Sequence, residues 1–293
     1  MNAIGKQRLH CLLIILGALL CSVNPLLCAA SETNTCAHGN GAIQSGAVAG
    51  FQWEFKPKIN PKSAIDSGCR ILVHSAHGKL IFRAEDIDVS LESVSGQDVN
   101  GDGKPDMVFL GYSGGAHCCW TYWVVSLGDK PGLLKEIQNT LPAEFRRTGS
   151  NNSFELWTHD GAFDYFHDLA HSESFFPDVV LCLDGADLND VSVQHWSVYQ
   201  SQIDAARKQL TPDLIRQFRS DNFVDARDNA TAQLVLTIVL EELYGGRPQD
   251  AWRDLNELWP PKNAQRVRRE ILKARREGVL SCVGEAPMSC SSL

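Results

Sequence analysis

Asp98-Val99-Asn100-Gly101-Asp102-Gly103-Lys104-Pro105-Asp106 sets carboxylates and a carboxamide at alternate positions of a short run. Gly103 stands where a tight loop turns through positive φ, a region that glycine enters without steric cost. Side chains at alternate positions of a curled loop point at one centre. A hard cation such as calcium takes six to eight oxygens at about 2.3–2.6 Å. The run therefore reads as a calcium loop, with Asp98, Asn100, Asp102 and Asp106 giving side-chain oxygens and Lys104 its backbone carbonyl. A helix-loop-helix hand carries a bidentate Glu at its twelfth position. Phe109 stands there instead, and the apolar run Met107-Val108-Phe109-Leu110 starts a strand.

This D-x-N-x-D-G-x-x-D run followed at once by a strand resembles the calcium loop of FG-GAP and VCBS-type repeats, β-modules of integrin heads and of many secreted bacterial proteins. The resemblance spans residues 91–123 and implies calcium in a structural role. The continuation Gly114-Gly115-Ala116-His117-Cys118-Cys119-Trp120 is similar to uncharacterised secreted bacterial proteins and implies no function.

Working outward, short apolar runs with period two or turn signals between them predict strands near residues 51–55, 69–76, 79–84, 89–94, 107–111, 121–127, 133–137, 154–158 and 178–183. Phe51, Trp53 and Phe55 alternate with polar neighbours, and Pro57 is expected to end that strand. From residue 197 the period becomes helical. Thr211-Pro212 reads as a helix start. The segment 229–244 is apolar on nearly every side and reads as a buried central helix, stopped by Gly245-Gly246. A further helix opens at Pro248 and ends at Pro260-Pro261, a pair that resembles a single tetratricopeptide hairpin. The last helix, 263–278, turns Val267, Ile271 and Ala274 inward and carries a basic face of Lys262, Arg266, Arg268, Arg269, Lys273, Arg275 and Arg276.

The fold class expected is α+β: an antiparallel β-domain over 51–196, a sandwich or a propeller-like fragment, followed by a small helical domain over 197–281 and a tail over 282–293. Residues 1–30 carry Lys6 and Arg8, an apolar run and Cys28-Ala29-Ala30, the layout of a cleavable signal peptide; a retained anchor is the alternative. Residues 31–50, rich in Gly, Ser and Ala, read as a flexible leader. The expected location is periplasmic or extracellular, with no membrane span once the signal is cleaved.

The formal charge of −8 at pH 7 excludes nucleic-acid binding by bulk charge. After residue 30 there remain Cys36, Cys69, Cys118, Cys119, Cys182, Cys282 and Cys290, an odd number, so disulfides with at least one leftover thiol are expected outside the cytoplasm. Cys282 with Cys290 is the pair nearest in sequence, and Cys118 and Cys119 are expected to staple to other strands, with Cys69 and Cys182 as candidates.

Two function classes follow. The first is a non-enzymatic binding or interaction protein whose β-domain is stabilised by one Ca2+ and whose partner is a protein or glycan outside the cytoplasm. The second is a metal-dependent hydrolase on the segment His159 to His171. If that segment were helical, His167 and His171 would share a face and could chelate zinc, with Asp168 as base. The neighbouring Phe163, Tyr165, Phe166, Phe175 and Phe176 equally suit an aromatic core. No P-loop, dinucleotide fingerprint or nucleophile elbow occurs.

Overall fold

The computed structural model describes residues 35–37, 43–59, 67–115, 118–148, 153–220 and 230–283. The signal segment, His117, the Cys118 side chain and Cys290 lie outside them. The molecule is α+β, as expected: antiparallel sheets over the N-terminal two-thirds and five helices after them.

Three four-stranded meanders follow one another, each in chain order. The first is β2 (Gln44–Val48), β3 (Phe51–Lys58), β4 (Gly68–His74) and β5 (Leu80–Asp86). The second is β6 (Asp88–Leu91), β7 (Asp106–Gly115), β8 (Cys118–Ser126) and β9 (Gly132–Asn139), with β1 (Thr35–Ala37) added on the outer side of β6. The third is β10 (Glu144–Thr148), β11 (Ser153–His159), β12 (Asp178–Asp184) and β13 (Asp187–Asp190). Meanders of four strands are the connectivity of propeller blades.

The second sheet is buried on both faces. Met107 and Phe109 on β7, with Trp123 and Val125 on β8, pack against Trp53, Phe55, Ile71 and Phe82 of the first sheet. Their neighbours Val108, Tyr122 and Val124 pack against Leu156, Val179 and Leu181 of the third. Alternate residues of a strand point to opposite faces, so an unbroken apolar run serves two cores at once. Each fully buried large side chain contributes about 1.5–3 kcal/mol.

Pro57 lies inside β3 rather than ending it. β2 pairs with β3 only as far as Phe55, so from Lys56 onward β3 has β4 alone as its neighbour and a residue without an N–H is tolerated.

Within the segment 31–50 expected as a flexible leader, the described residues Thr35–Ala37 pair with β6 and Gln44–Val48 with β3, while 31–34 and 38–42 lie outside the described residues. A disulfide from Cys36 to Cys69, with Cα atoms 6.0 Å apart, ties β1 to β4 of the first sheet. Closing a loop of 33 residues stabilises by roughly 3–4 kcal/mol through the unfolded chain. Cys36→Ala with Cys69→Ala is expected to cost about that much in chemical unfolding. An unchanged denaturation midpoint would show that β1 holds by strand pairing alone.

Cys69 is therefore not the partner of Cys118 or Cys119, and Cys182 is a free thiol, so neither expected candidate serves. Cys119 and Cys282 are themselves disulfide-bonded.

The helices are α1 (Trp196–Gln209), α2 (Pro212–Ser220), α3 (Ala230–Tyr244), α4 (Pro248–Leu258) and α5 (Ala264–Glu277). Thr211 starts α2, its Oγ1 accepting from the Leu214 N–H at 3.3 Å. α3 is buried along almost its whole length and packs between α1 and α4. Beyond a small cluster of Ile203, Ala206 and Ile238 between α1 and α3, the helices pack into the core of the sheets. Val235, Val239 and Tyr244 belong to the same apolar cluster as Val108, Leu181 and Phe163, and residues 33–293 make one compact unit. The expected boundary at 196/197 is thus a change of secondary structure across a shared core.

Candidate functional site

The acidic loop connects β6 to β7, and its curl is made by its own side chains. Asp98 accepts from Gly101 N–H at 2.7 Å through Oδ1 and from Gly103 N–H at 2.8 Å through Oδ2. Asn100 Oδ1 accepts from Asp102 N–H at 3.1 Å, and Asp102 Oδ1 from Lys104 N–H at 2.8 Å. These are the local side-chain-to-backbone bonds that Asp and Asn make in tight turns. Gly101 and Gly103 have φ of 78° and 80°, left-handed values that favour glycine.

Three backbone contacts brace the loop from outside. Asp106 N–H donates to Gln97 C=O at 2.8 Å, and Gly96 N–H to Asp106 C=O at 2.7 Å. Gly185 N–H, in the turn between β12 and β13, donates to Asn100 C=O at 2.8 Å. The loop is thereby fastened to the third sheet as well as to the second.

Asp106 is the anomalous residue. Its carboxylate is fully buried; Oδ2 accepts from Val99 N–H at 2.9 Å, while Oδ1 has no hydrogen-bond partner. Burial pushes its pKa up to about 7, the Val99 N–H and more weakly the Asn100 N–H opposing, and the charges of Asp102 and Asp98 reinforcing the rise. An unpaired buried carboxylate is costly unless a cation meets it. Asn100 is buried beside it, while Asp102 and Lys104 are exposed and Asp98 is half-buried.

The donor chemistry is all oxygen and suits a hard cation. Against this, no three His, Cys, Asp or Glu side chains converge as a metal-holding set among the described residues. Both oxygens of Asp98 are turned to backbone N–H groups. The sequence-predicted donors are thus brought into one loop, with Asp106 Oδ1 alone standing buried and unpaired.

The histidine segment departs from expectation. Residues 161–173 form three separate 3-10 turns, so His167 and His171 do not share a helical face. Tyr165, His167 and Asp168 take φ of 54°, 57° and 61°, which breaks any continuous helix. Each histidine has a carboxylate of its own: His159 Nδ1 lies 3.0 Å from Asp178, His167 Nε2 2.7 Å from Glu270, and His171 Nδ1 2.9 Å from Asp164. Asp178 raises the pKa of His159, whereas burial lowers that of His167. The aromatic reading fits better, with Phe163 and Leu169 in the main core and Phe166 packed against it.

Sequence reasoning missed Glu270, which α5 brings to His167 from a distant part of the chain, and Gly185. Neither carries a local signal.

Comparison of the chain with family models, with curated proteins and with solved structures returns no match. Fold and loop together define an α+β protein with one oxygen-lined loop between adjacent strands.

Proposed function

We propose that the protein is a non-enzymatic binding module of the periplasm or cell exterior whose β-region is stabilised by one calcium ion in the loop 98–106, as in the FG-GAP and VCBS-type loops that it resembles. The observation that carries this reading is Asp106 Oδ1, buried and without a partner next to Asp98 and Asp102. Asp98, Asn100, Asp102 and Asp106 would hold the ion through side-chain oxygens, and Lys104 through its carbonyl. The ion would supply the positive charge that a buried carboxylate lacks.

The Asn100–Gly185 bond gives such a site a structural purpose, because ordering the loop also holds the turn that joins β12 to β13. Calcium fixes a surface in this reading and takes part in no reaction.

A ligand that binds only the folded state stabilises it by RT ln(1 + [L]/Kd). At about tenfold excess over Kd, calcium is expected to add roughly 1.4 kcal/mol and to raise the thermal midpoint. Asp98→Ala with Asp102→Ala removes two donors and is expected to erase that rise. Melting curves of the wild type that coincide in chelator and in millimolar calcium would remove the reading.

A further inference from the structure

Along α5 and the turn before it, Lys262, Arg266, Arg269, Lys273 and Arg276 recur at intervals of four, three, four and three residues, which places them on one face. All five are exposed. Arg269, Lys273 and Arg276 have no ion-pair partner among the described residues, and Arg266 approaches Glu270 only at 3.8 Å. The other basic residues of the helix are engaged within the fold: Arg268 stacks on Trp252 at 4.7 Å, and Arg275 on Tyr244 at 5.3 Å. On a chain of net charge −8, a row of cations about 21 Å long is a local reversal of sign.

Beside the row runs a cleft of about 520 Å³, between α5 and residues 162–168. Arg266 and Lys273 form one lip, and Asp164, Asp168, Glu270 and Glu277 supply carboxylates to the lining. Tyr165, in the opposite wall, is 53% exposed and has its backbone in the left-handed region. Its N–H is held by Ser174 Oγ at 2.9 Å.

We infer that this row and cleft bind a linear anionic polysaccharide. Its acidic groups lie on Arg266, Arg269, Lys273 and Arg276, its hydroxyls donate to the cleft carboxylates, and the C–H face of one sugar ring packs on Tyr165. This inference rests on the reading of the protein as a binding module and names the class of its partner.

Three observations select this occupant. Cations and carboxylates side by side suit a ligand that carries both negative charges and hydroxyl donors. Duplex DNA offers a dense line of phosphates without free sugar hydroxyls, so Glu270, Glu277, Asp164 and Asp168 would meet charge with no hydroxyl donor to offset the repulsion. A membrane surface calls for an apolar face beneath the cations, yet the apolar residues of α5, Val267 and Ile271, are fully buried in the core.

The test is titration calorimetry on the full chain with oligogalacturonate, dextran sulfate, unsubstituted dextran, duplex DNA and phosphatidylglycerol vesicles. Binding is expected to one or both anionic polysaccharides and not to plain dextran, and the preference between the first two identifies the acidic group. Arg269→Glu with Lys273→Glu is expected to weaken it at least about tenfold, and Tyr165→Ala about fivefold, with melting temperatures unchanged. Failure of the wild type to bind either acidic polymer would overturn the inference. So would equal binding of DNA or vesicles, or affinity indifferent to Tyr165. The calcium-dependent melting shift, read on the same preparation, separates the two readings. A protein that keeps the shift and binds no polymer loses this inference alone, and one that binds without the shift loses the calcium site alone.

Discussion

Asp106→Asn is expected to abolish the calcium-dependent rise in melting temperature while leaving the calcium-free protein at least as stable as the wild type. The carboxamide is nearly the same shape, and its oxygen can still accept from Val99 N–H, the bond that Asp106 Oδ2 makes at 2.9 Å. What the substitution removes is the charge. In chelator that charge is a liability, since the side chain is fully buried and Oδ1 is unpaired. The gain is the lost desolvation cost of the charge alone, since the carboxamide NH2 stands where Oδ1 stood and finds no more of a partner there. If calcium occupies the loop as proposed, the same charge is one of its donors, and its loss takes the response with it. Calorimetric melts of both proteins in chelator and in calcium give the comparison. An Asn variant that still responds to calcium like the wild type would show that Asp106 is not a ligand.

Arg207→Met is expected to destabilise the helical region by about 2–3 kcal/mol. Arg207 reaches Glu242 on α3 at 2.9 Å and also bonds Asp254 on α4, whose side chains are only 5% and 4% exposed. Removing one partner of a buried pair strands the other, at a cost of about 3–5 kcal/mol when both are enclosed. The guanidinium here is 43% exposed, which lowers the figure. Asp254 keeps Arg253 at 3.1 Å, so Glu242 is the group left without a cation, against the Asp254 carboxylate.

Burial already pushes the Glu242 pKa up to about 7, with Asp254 adding to the rise and Arg207 opposing it. A carboxyl raised in the folded state binds its proton more tightly there than in the unfolded chain, so its contribution to stability falls as pH climbs from the ordinary carboxylate range through 7. Without Arg207 that fall extends further. The deficit of the variant should therefore be largest at alkaline pH, shrink toward pH 5, and be relieved by adding Glu242→Gln. A deficit independent of pH would assign the loss to packing of the Arg207 stem instead.

The elements that could be read in advance are those whose signal is local. β3, β7 and β8 announce themselves by alternation or by an unbroken apolar run, and α3 by being apolar all round. Thr211 and Pro212 mark the start of α2. The strands that escaped notice are β1, β2, β10 and β13, of three to five residues and drawn from segments such as Glu144–Thr148 and Asp187–Asp190. They carry little apolar pattern because each is held mainly by a neighbour, β1 by β6 and by the disulfide at Cys36. The histidine segment misled for the opposite reason. Its four-residue spacing has a meaning only on a helix, and the left-handed backbone at Tyr165, His167 and Asp168 is invisible in residue types.

The sequence by itself determined the α+β class, the order of most elements and the oxygen-rich composition of the 98–106 loop. Each depends on periodicity or on residues within a few positions of one another, where sterics and side-chain-to-backbone bonding act without help. Only the tertiary structure decided that Asp106 is sealed from water, that Glu242 meets Arg207, that His167 faces Glu270, and that the helices share a core with the second and third sheets. Desolvation and ion pairing are set by which distant segments close over a group, and no local pattern records that.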